Sequence, residues 1–158
     1  MGDRRRFDAF ADLIARNITP DIPVADVAGG SGGLRAALHQ RGFRDVDSWD
    51  KRHRNARGKK GYIYGLFDWR NAPRGYKAVV AMHPDEGTDN ALLYALRERV
   101  PFIICPCCVK PSGAKFSGNQ YGEWLEHLAA IGRAGRFSVT EACLPIRGRN
   151  IVLIGRPR

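Results

Sequence analysis

The sequence predicts a three-layer α/β/α domain around a mostly parallel sheet, and three observations predict it. Short apolar runs alternate with stretches of helical periodicity. A cluster of four glycines follows the first apolar run. The last two β-rich runs, "FSVTEACLPI" and "NIVLIG", flank a short "RGR". Strands alternating with helices imply right-handed crossovers between parallel neighbours, and the closing pair reads as an antiparallel hairpin at one edge.

Each element has its own signal. Phe7, Phe10, Ala11 and Ile14 recur at helical spacing, so roughly 4–16, within an N-terminal segment 4–20, reads as an amphipathic helix. "IPVADV" is the first strand. "GLRAALHQRG" follows as a helix with Leu34, Ala37 and Leu38 inward and Gly42 as its stop. "DVDSW" and "YIYGLF" are the second and third strands, and the continuously apolar "KAVVAM" is a fourth, covered on both faces. "TDNALLYALRERV" reads as a helix with Thr88 as N-cap. "FIIC" is a fifth strand. "QYGEWLEHLAAIG" is a helix with Tyr121, Trp124, Leu125 and Leu128 on one face. With the closing pair, seven strands result.

Composition narrows the class. The chain has 158 residues, 44% of them hydrophobic, which suits one domain over 1–158 with a real core. No apolar run reaches the ~18 residues of a membrane span. "MGDRRRFDAF" lacks the apolar region of a secretory leader, so a cytoplasmic protein is expected. Cys105, Cys107 and Cys108 are bunched and only Cys143 stands apart, which is not the spacing of a disulfide framework. No disulfide-linked partner is expected. Net charge is +10, and "KRHRNARGKK" (51–60) carries six Lys/Arg without an acid. Such a run reads either as a solvated basic surface or as a contact for a polyanion such as nucleic acid, through Arg52, Arg54, Arg57, Lys59 and Lys60.

"VADVAGGSGGL" (24–34) decides the functional class. Strand and helix signals abut the glycines on both sides, which leaves no length for a linker. In an open parallel sheet, ligands bind at the carboxyl ends of the strands, and glycines let the backbone approach them. A packing turn is the plainer reading of the same residues. Asp50 ends the second strand 20 residues after Gly30, the spacing of an acid that holds ribose hydroxyls. Asp68 follows the third strand, and Trp69 beside it can lie against a ring. No Gly-Lys-Ser/Thr follows the glycines, and their spacing is poor for a nicotinamide fingerprint.

On these residues the chain resembles the class I S-adenosylmethionine-dependent methyltransferases. Asp26 falls on the first acid of their motif I, Gly30 and Gly32 on its later glycines, Asp50 on the ribose acid and Asp68 on the adenine-side acid. The resemblance implies a Rossmann-like methyltransferase fold, seven-stranded with a C-terminal antiparallel hairpin, and S-adenosyl-L-methionine as cofactor. The expected cofactor contacts are Asp26, Ala28, Gly29, Gly30, Gly32, Asp50, Lys51, Asp68, Trp69 and His83. Ala28 departs from the motif's first glycine; alanine can fit there if φ is negative, and whether the loop closes on the cofactor without that glycine is the open question.

The acceptor side should follow the fourth and fifth strands, at "MHPDEGTD" and "CPCC". His83 and Asp85 are the candidate catalytic residues. His83 can orient an acceptor, take its proton, touch the cofactor or serve structure alone. No Asn/Asp-Pro-Pro-Tyr of amino-methylating members occurs. "CPCC" lacks C-x-x-C pairs, so no metal site is expected. The nucleophilic cysteine of RNA 5-methylcytosine enzymes would need a second cysteine after the fourth strand, which is absent. Packing at a crowded strand end is the plainest reading of these thiols. The "H-P-D-E-G-T-D…C-P-C-C" pattern partly resembles tRNA 2′-O-methylating enzymes, with Pro84-Asp85 in place of Cys-Gly and Val109-Lys110 in place of paired histidines. The resulting expectation is a methyltransferase acting on RNA (tRNA or rRNA). The alternatives are a protein or small-molecule methyltransferase, or a non-catalytic nucleic-acid-binding module on this fold.

Overall fold

The computed structural model describes residues 3, 5–52, 58–109 and 120–158. Seven strands form one sheet in the order β3-β2-β1-β4-β5-β7-β6. They are β1 (Val24–Val27), β2 (Val46–Asp50), β3 (Tyr62–Tyr64), β4 (Ala78–Met82), β5 (Phe102–Cys105), β6 (Phe137–Cys143) and β7 (Ile151–Pro157). The helices are α1 (Arg6–Asn17), α2 (Gly33–Gln40), α3 (Thr88–Glu98) and α4 (Gln120–Ala134). β1 to β5 are parallel. β7 runs antiparallel to both β5 and β6, the expected closing hairpin.

Three layers follow from the period of two along the buried strands. In β1 and β4, Val24, Val80 and Met82 face one way and pack with Phe10 and Ile14 of α1 and Leu34 and Leu38 of α2. Ala25, Val27, Val79 and Ala81 face the other way, toward Leu92 and Tyr94 of α3 and Trp124 and Leu128 of α4. β1, β4 and β5 are buried along their whole length, as a continuously apolar central strand must be. Among the described residues no helix is long and apolar enough to cross a membrane.

Two local expectations are corrected. The third strand stops at Tyr64 rather than Phe67: the Gly65 amide donates to the Asp50 carbonyl (3.1 Å) as the last bond of the β2–β3 ladder, and β2 itself ends at Asp50. Thr88 is the first residue of α3, not its N-cap. A 3-10 turn over Asp85–Gly87 precedes it, and Thr88 Oγ1 donates to the Asp85 carbonyl at 2.9 Å. Gly42 does end α2, with φ 89° just past the helix.

The strand order reverses between β1 and β4, which places a crevice at their carboxyl ends. Register brings the neighbours level. Asp26 lies beside Ser48, and Met82 beside Cys105.

Candidate functional site

The glycine loop is pinned to β2. Gly29 N–H donates to the Trp49 carbonyl (2.9 Å), and Gly30 N–H to Asp50 Oδ2 (3.0 Å). A Cβ on Gly29 would stand 2.1 Å from Ser48 Oγ and 2.2 Å from Asp26 Oδ2, so only glycine permits this approach. Gly32 has φ 90°, and a Cβ there would meet the Tyr62 ring at 2.6 Å.

Two carboxylates support the loop in different ways. Asp50 is nearly buried, and both its oxygens take backbone amides: Gly30 on Oδ2 and Arg52 on Oδ1 at 2.7 Å. A carboxylate has room for about four such bonds, so it can still receive hydroxyls from a ligand. Asp26 is fully buried. Its Oδ2 accepts from Ser48 Oγ at 2.8 Å, and its Oδ1 accepts nothing from the described residues. Burial raises its carboxyl to about 7, and the nearby Asp50 charge adds to that against the Ser48 hydrogen bond.

Three cavities open along this edge. One of about 180 Å3 lies between Val27–Ala28, Trp49–Arg52, Gly65–Phe67 and Pro84–Gly87. Leu66 stands exposed at its wall, and a Lys51–Glu86 ion pair (2.7 Å) spans it. The second, about 300 Å3, runs over the glycine loop, with Asp26, Asp50 and Met82 below and Arg6 and Phe7 of α1 alongside. The third, about 690 Å3, is lined by Arg5, Arg6, Arg147 and Arg149, with Asp3 as its acid and with Cys107 and Cys108 at its wall.

His83 lines both the second and the third cavity. Its Nε2 lies 2.7 Å from the Arg149 carbonyl. A carbonyl only accepts, so Nε2 carries the hydrogen and the neutral ring keeps its lone pair on Nδ1. Burial, helped by the Arg6 charge, holds its pKa below the ordinary histidine value. His83 (φ 50°) and Asp85 (φ 56°) are both left-handed without being glycine. Such strain gathers where a surrounding structure over-determines a site. Behind them, burial pushes the Cys105 thiol up to about 12, which leaves it inert as a nucleophile.

No protein-family model matches the chain, and no curated protein sequence matches it. Solved structures do resemble it. DesVI of Streptomyces venezuelae aligns with a TM-score of 0.66 at 17% identity, over 98% of this chain and 93% of that one. The magnesium protoporphyrin IX methyltransferase ChlM from Synechocystis, with bound S-adenosylhomocysteine (SAH), aligns at 0.59 and 15% identity, over 98% and 83%. CalO1, a methyltransferase in calicheamicin biosynthesis in its SAH-bound form, aligns at 0.57 and 15%, over 98% of this chain and 54% of its own.

The chain has the class I methyltransferase fold.

Within the methyltransferase fold, Asp26, Ala28, Gly29, Gly30, Asp50 and His83 come together around the second cavity. Lys51 lines the first. Gly32 caps α2 behind the loop. Asp68 and Trp69 do not join them. Asp68 Oδ1 accepts from the Arg70 amide (3.0 Å), and the Trp69 ring packs into the α3–α4 side of the core. Because β3 ends early, Gly65, Leu66 and Phe67 line the first cavity instead. The condition under which alanine would fit without strain is not met at Ala28. Its φ is +56°, so alanine holds a left-handed conformation that glycine adopts without strain. Asp85 lines the first cavity, and its carboxylate also reaches Cys107 and Cys108 at the wall of the third. Arg54 and Arg57 lie outside the described residues, and Lys59 and Lys60 are exposed beside β3. Arg6, Ser48, Leu66, Phe67, Arg147 and Arg149 went unnoticed in the sequence as site residues. Only Ser48 had a signal, as a polar residue inside an otherwise strand-like run.

Proposed function

We propose that the chain is an S-adenosylmethionine-dependent methyltransferase whose acceptor is a small molecule carrying an anionic group. The carrying observation is His83, which lines both the cavity over the glycine loop and a large cavity walled by four arginines. The residues present fit the cofactor. A buried carboxylate oxygen of Asp26 waits for a donor beside the loop, Asp50 keeps acceptor capacity, and the adjoining cavity offers Leu66 and Phe67 to an apolar ring. Asp26, Gly29, Gly30 and Asp50 would hold it, with Lys51 at the rim.

The cofactor brings an already activated methyl group, so alignment supplies most of the catalysis. This chain adds a neutral His83, whose Nδ1 can take the acceptor's proton near neutral pH. Arg6, Arg147 and Arg149 supply a field that draws an anion into the acceptor cavity. Both cavities are proposed to belong to one unit over 1–158, in the cytoplasm.

ChlM and CalO1 are named for small-molecule chemistry, which supports a small acceptor over RNA. The RNA reading rests on the run 51–60. There Lys51 pairs with Glu86, and Arg52 lies 3.8 Å from Asp50. Calorimetry with SAH tests the cofactor, and absence of heat overturns the proposal. Labelled S-adenosylmethionine, offered with small organic acids and phosphate esters, total RNA and protein in parallel, tests the acceptor. Label is expected in the small-molecule fraction, and label in RNA alone rejects the acceptor class.

A further inference from the structure

The loops after β4 and β5 bring together groups that the sequence keeps apart. Met82 and Cys105 are paired neighbours at the strand ends. Asp85 and Cys108 each lie three residues beyond, so the strand register carries them to the same place. A ligating oxygen of Asp85 and the sulfurs of Cys107 and Cys108 all lie within 4.8 Å of one another. We propose that Asp85, Cys107 and Cys108 bind a thiophilic divalent cation of the zinc class, with the fourth coordination position open toward the arginine-walled cavity.

The geometry is close to what such an ion needs. Tetrahedral zinc with thiolates at about 2.3 Å holds its ligand atoms about 3.8 Å apart, so shifts under about 1 Å close the site. Two sulfurs and one oxygen select zinc-like ions over magnesium or calcium, which take oxygen sets. Three protein ligands with one open position is the arrangement of zinc sites that present a water or substrate. Cys107 and Cys108 line the cavity that His83 also lines, so the open position faces an incoming acceptor.

Ligand atoms this close repel one another once they carry charge, and a divalent cation between them turns that repulsion into attraction. Binding replaces two S–H protons with two metal–sulfur bonds and releases both protons, with no change of oxidation state.

The test uses the full chain, freed of metal by a chelator and kept reduced, and titrated with Co2+ and then with Zn2+ as competitor. One Co2+ per chain is expected, with a thiolate-to-cobalt charge-transfer band, displacement by Zn2+, and release of two protons per ion. Cys107→Ser, Cys108→Ser and Asp85→Asn should each weaken binding by roughly 100-fold or more, since a ligand is lost outright. Cys143→Ser should bind as the wild type does. Circular dichroism confirms that each variant is folded. Wild type without a thiolate–cobalt band overturns the site, as does a band that survives both cysteine changes or is lost with Cys143→Ser. SAH calorimetry on the same metal-free protein is a separate readout, so a failed cofactor reading is not mistaken for a failed metal site.

Discussion

The two halves of the crevice are built on opposite principles. On the β1–β2 side, the loop is held by backbone hydrogen bonds to a strand carbonyl and to Asp50, and glycine stands where an added Cβ would come within 2.2 Å of Ser48 and Asp26. On the β4–β5 side, non-glycine residues hold left-handed conformations at His83 and Asp85, and charged and thiol side chains surround an open cavity. The first side is preorganised by its own backbone. The second is assembled from α1, the two loops after β4 and β5, and the β6–β7 turn, so its chemistry can vary without disturbing the sheet. Ala28 is the exception on the first side, a strained residue in a loop otherwise made easy by glycine.

His83→Ala should have the largest effect. General-base assistance contributes on the order of 10²–10⁴ in rate, so kcat should fall within that range while SAH affinity stays within about threefold. His83→Ala rates from stopped assays, set beside calorimetry, separate the two. An equal loss of both would place His83 on the cofactor side and break the comparison. In the wild type the pKa of His83 lies below the ordinary 6.5. The rate should therefore hold near neutral pH and drop only as acid protonates the ring, a limb that the alanine variant lacks.

Asp50→Ala comes next. It removes the acceptor of two backbone amides and any hydroxyl bonds from the ligand. Hydrogen bonds to a charged group are worth about 1.5–3 kcal/mol, so SAH should bind about 100-fold more weakly by calorimetry. Gly29→Ala should follow. Its Cβ would overlap Ser48 and Asp26, and overpacking of this kind costs about 1–3 kcal/mol, read as a lower midpoint in urea. Ala28→Gly is the counter-test. Relief of a left-handed alanine is worth about 1 kcal/mol before the entropy of the added glycine is set against it. Stability should rise slightly or hold, and a marked loss would show that the alanine methyl itself packs usefully.

A pH slope in stability tests the buried carboxyl of the same side. Asp26 is raised in the fold to about 7, above the roughly 3.9 of a free aspartate. Its protonated form is therefore favoured by folding. The stability this gives is full below about pH 4 and is lost as pH climbs toward about 7. Asp26→Asn should flatten that part of the denaturation-midpoint profile.

Sequence legibility follows the same divide. Asp26, the glycines and Asp50 could be read because local rules place them. A strand, a tight turn and the end of the next strand lie at a spacing that the βαβ unit dictates. Ser48 shows only as a polar residue in a strand-like run; its hydrogen bond to Asp26 depends on the β1–β2 register. Asp68 and Trp69 were placed at the cofactor because the apolar run "YIYGLF" reads as one strand. β2 ends at Asp50, so the pairing of β3 stops with Tyr64, and Gly65, Leu66 and Phe67 line the first cavity. The β4–β5 register that sets Asp85 against Cys107 and Cys108 leaves no trace in "CPCC" alone, and neither does the meeting of Arg6 with Arg147 and Arg149 across 141 residues.

A crystal structure of the chain grown with SAH tests the central claim most directly. The account predicts the adenine between Ala28 and Leu66–Phe67, the ribose hydroxyls on Asp50, and the sulfur facing His83 at the mouth of the arginine-walled cavity. SAH bound elsewhere, or a glycine loop left empty at saturating SAH, would contradict it.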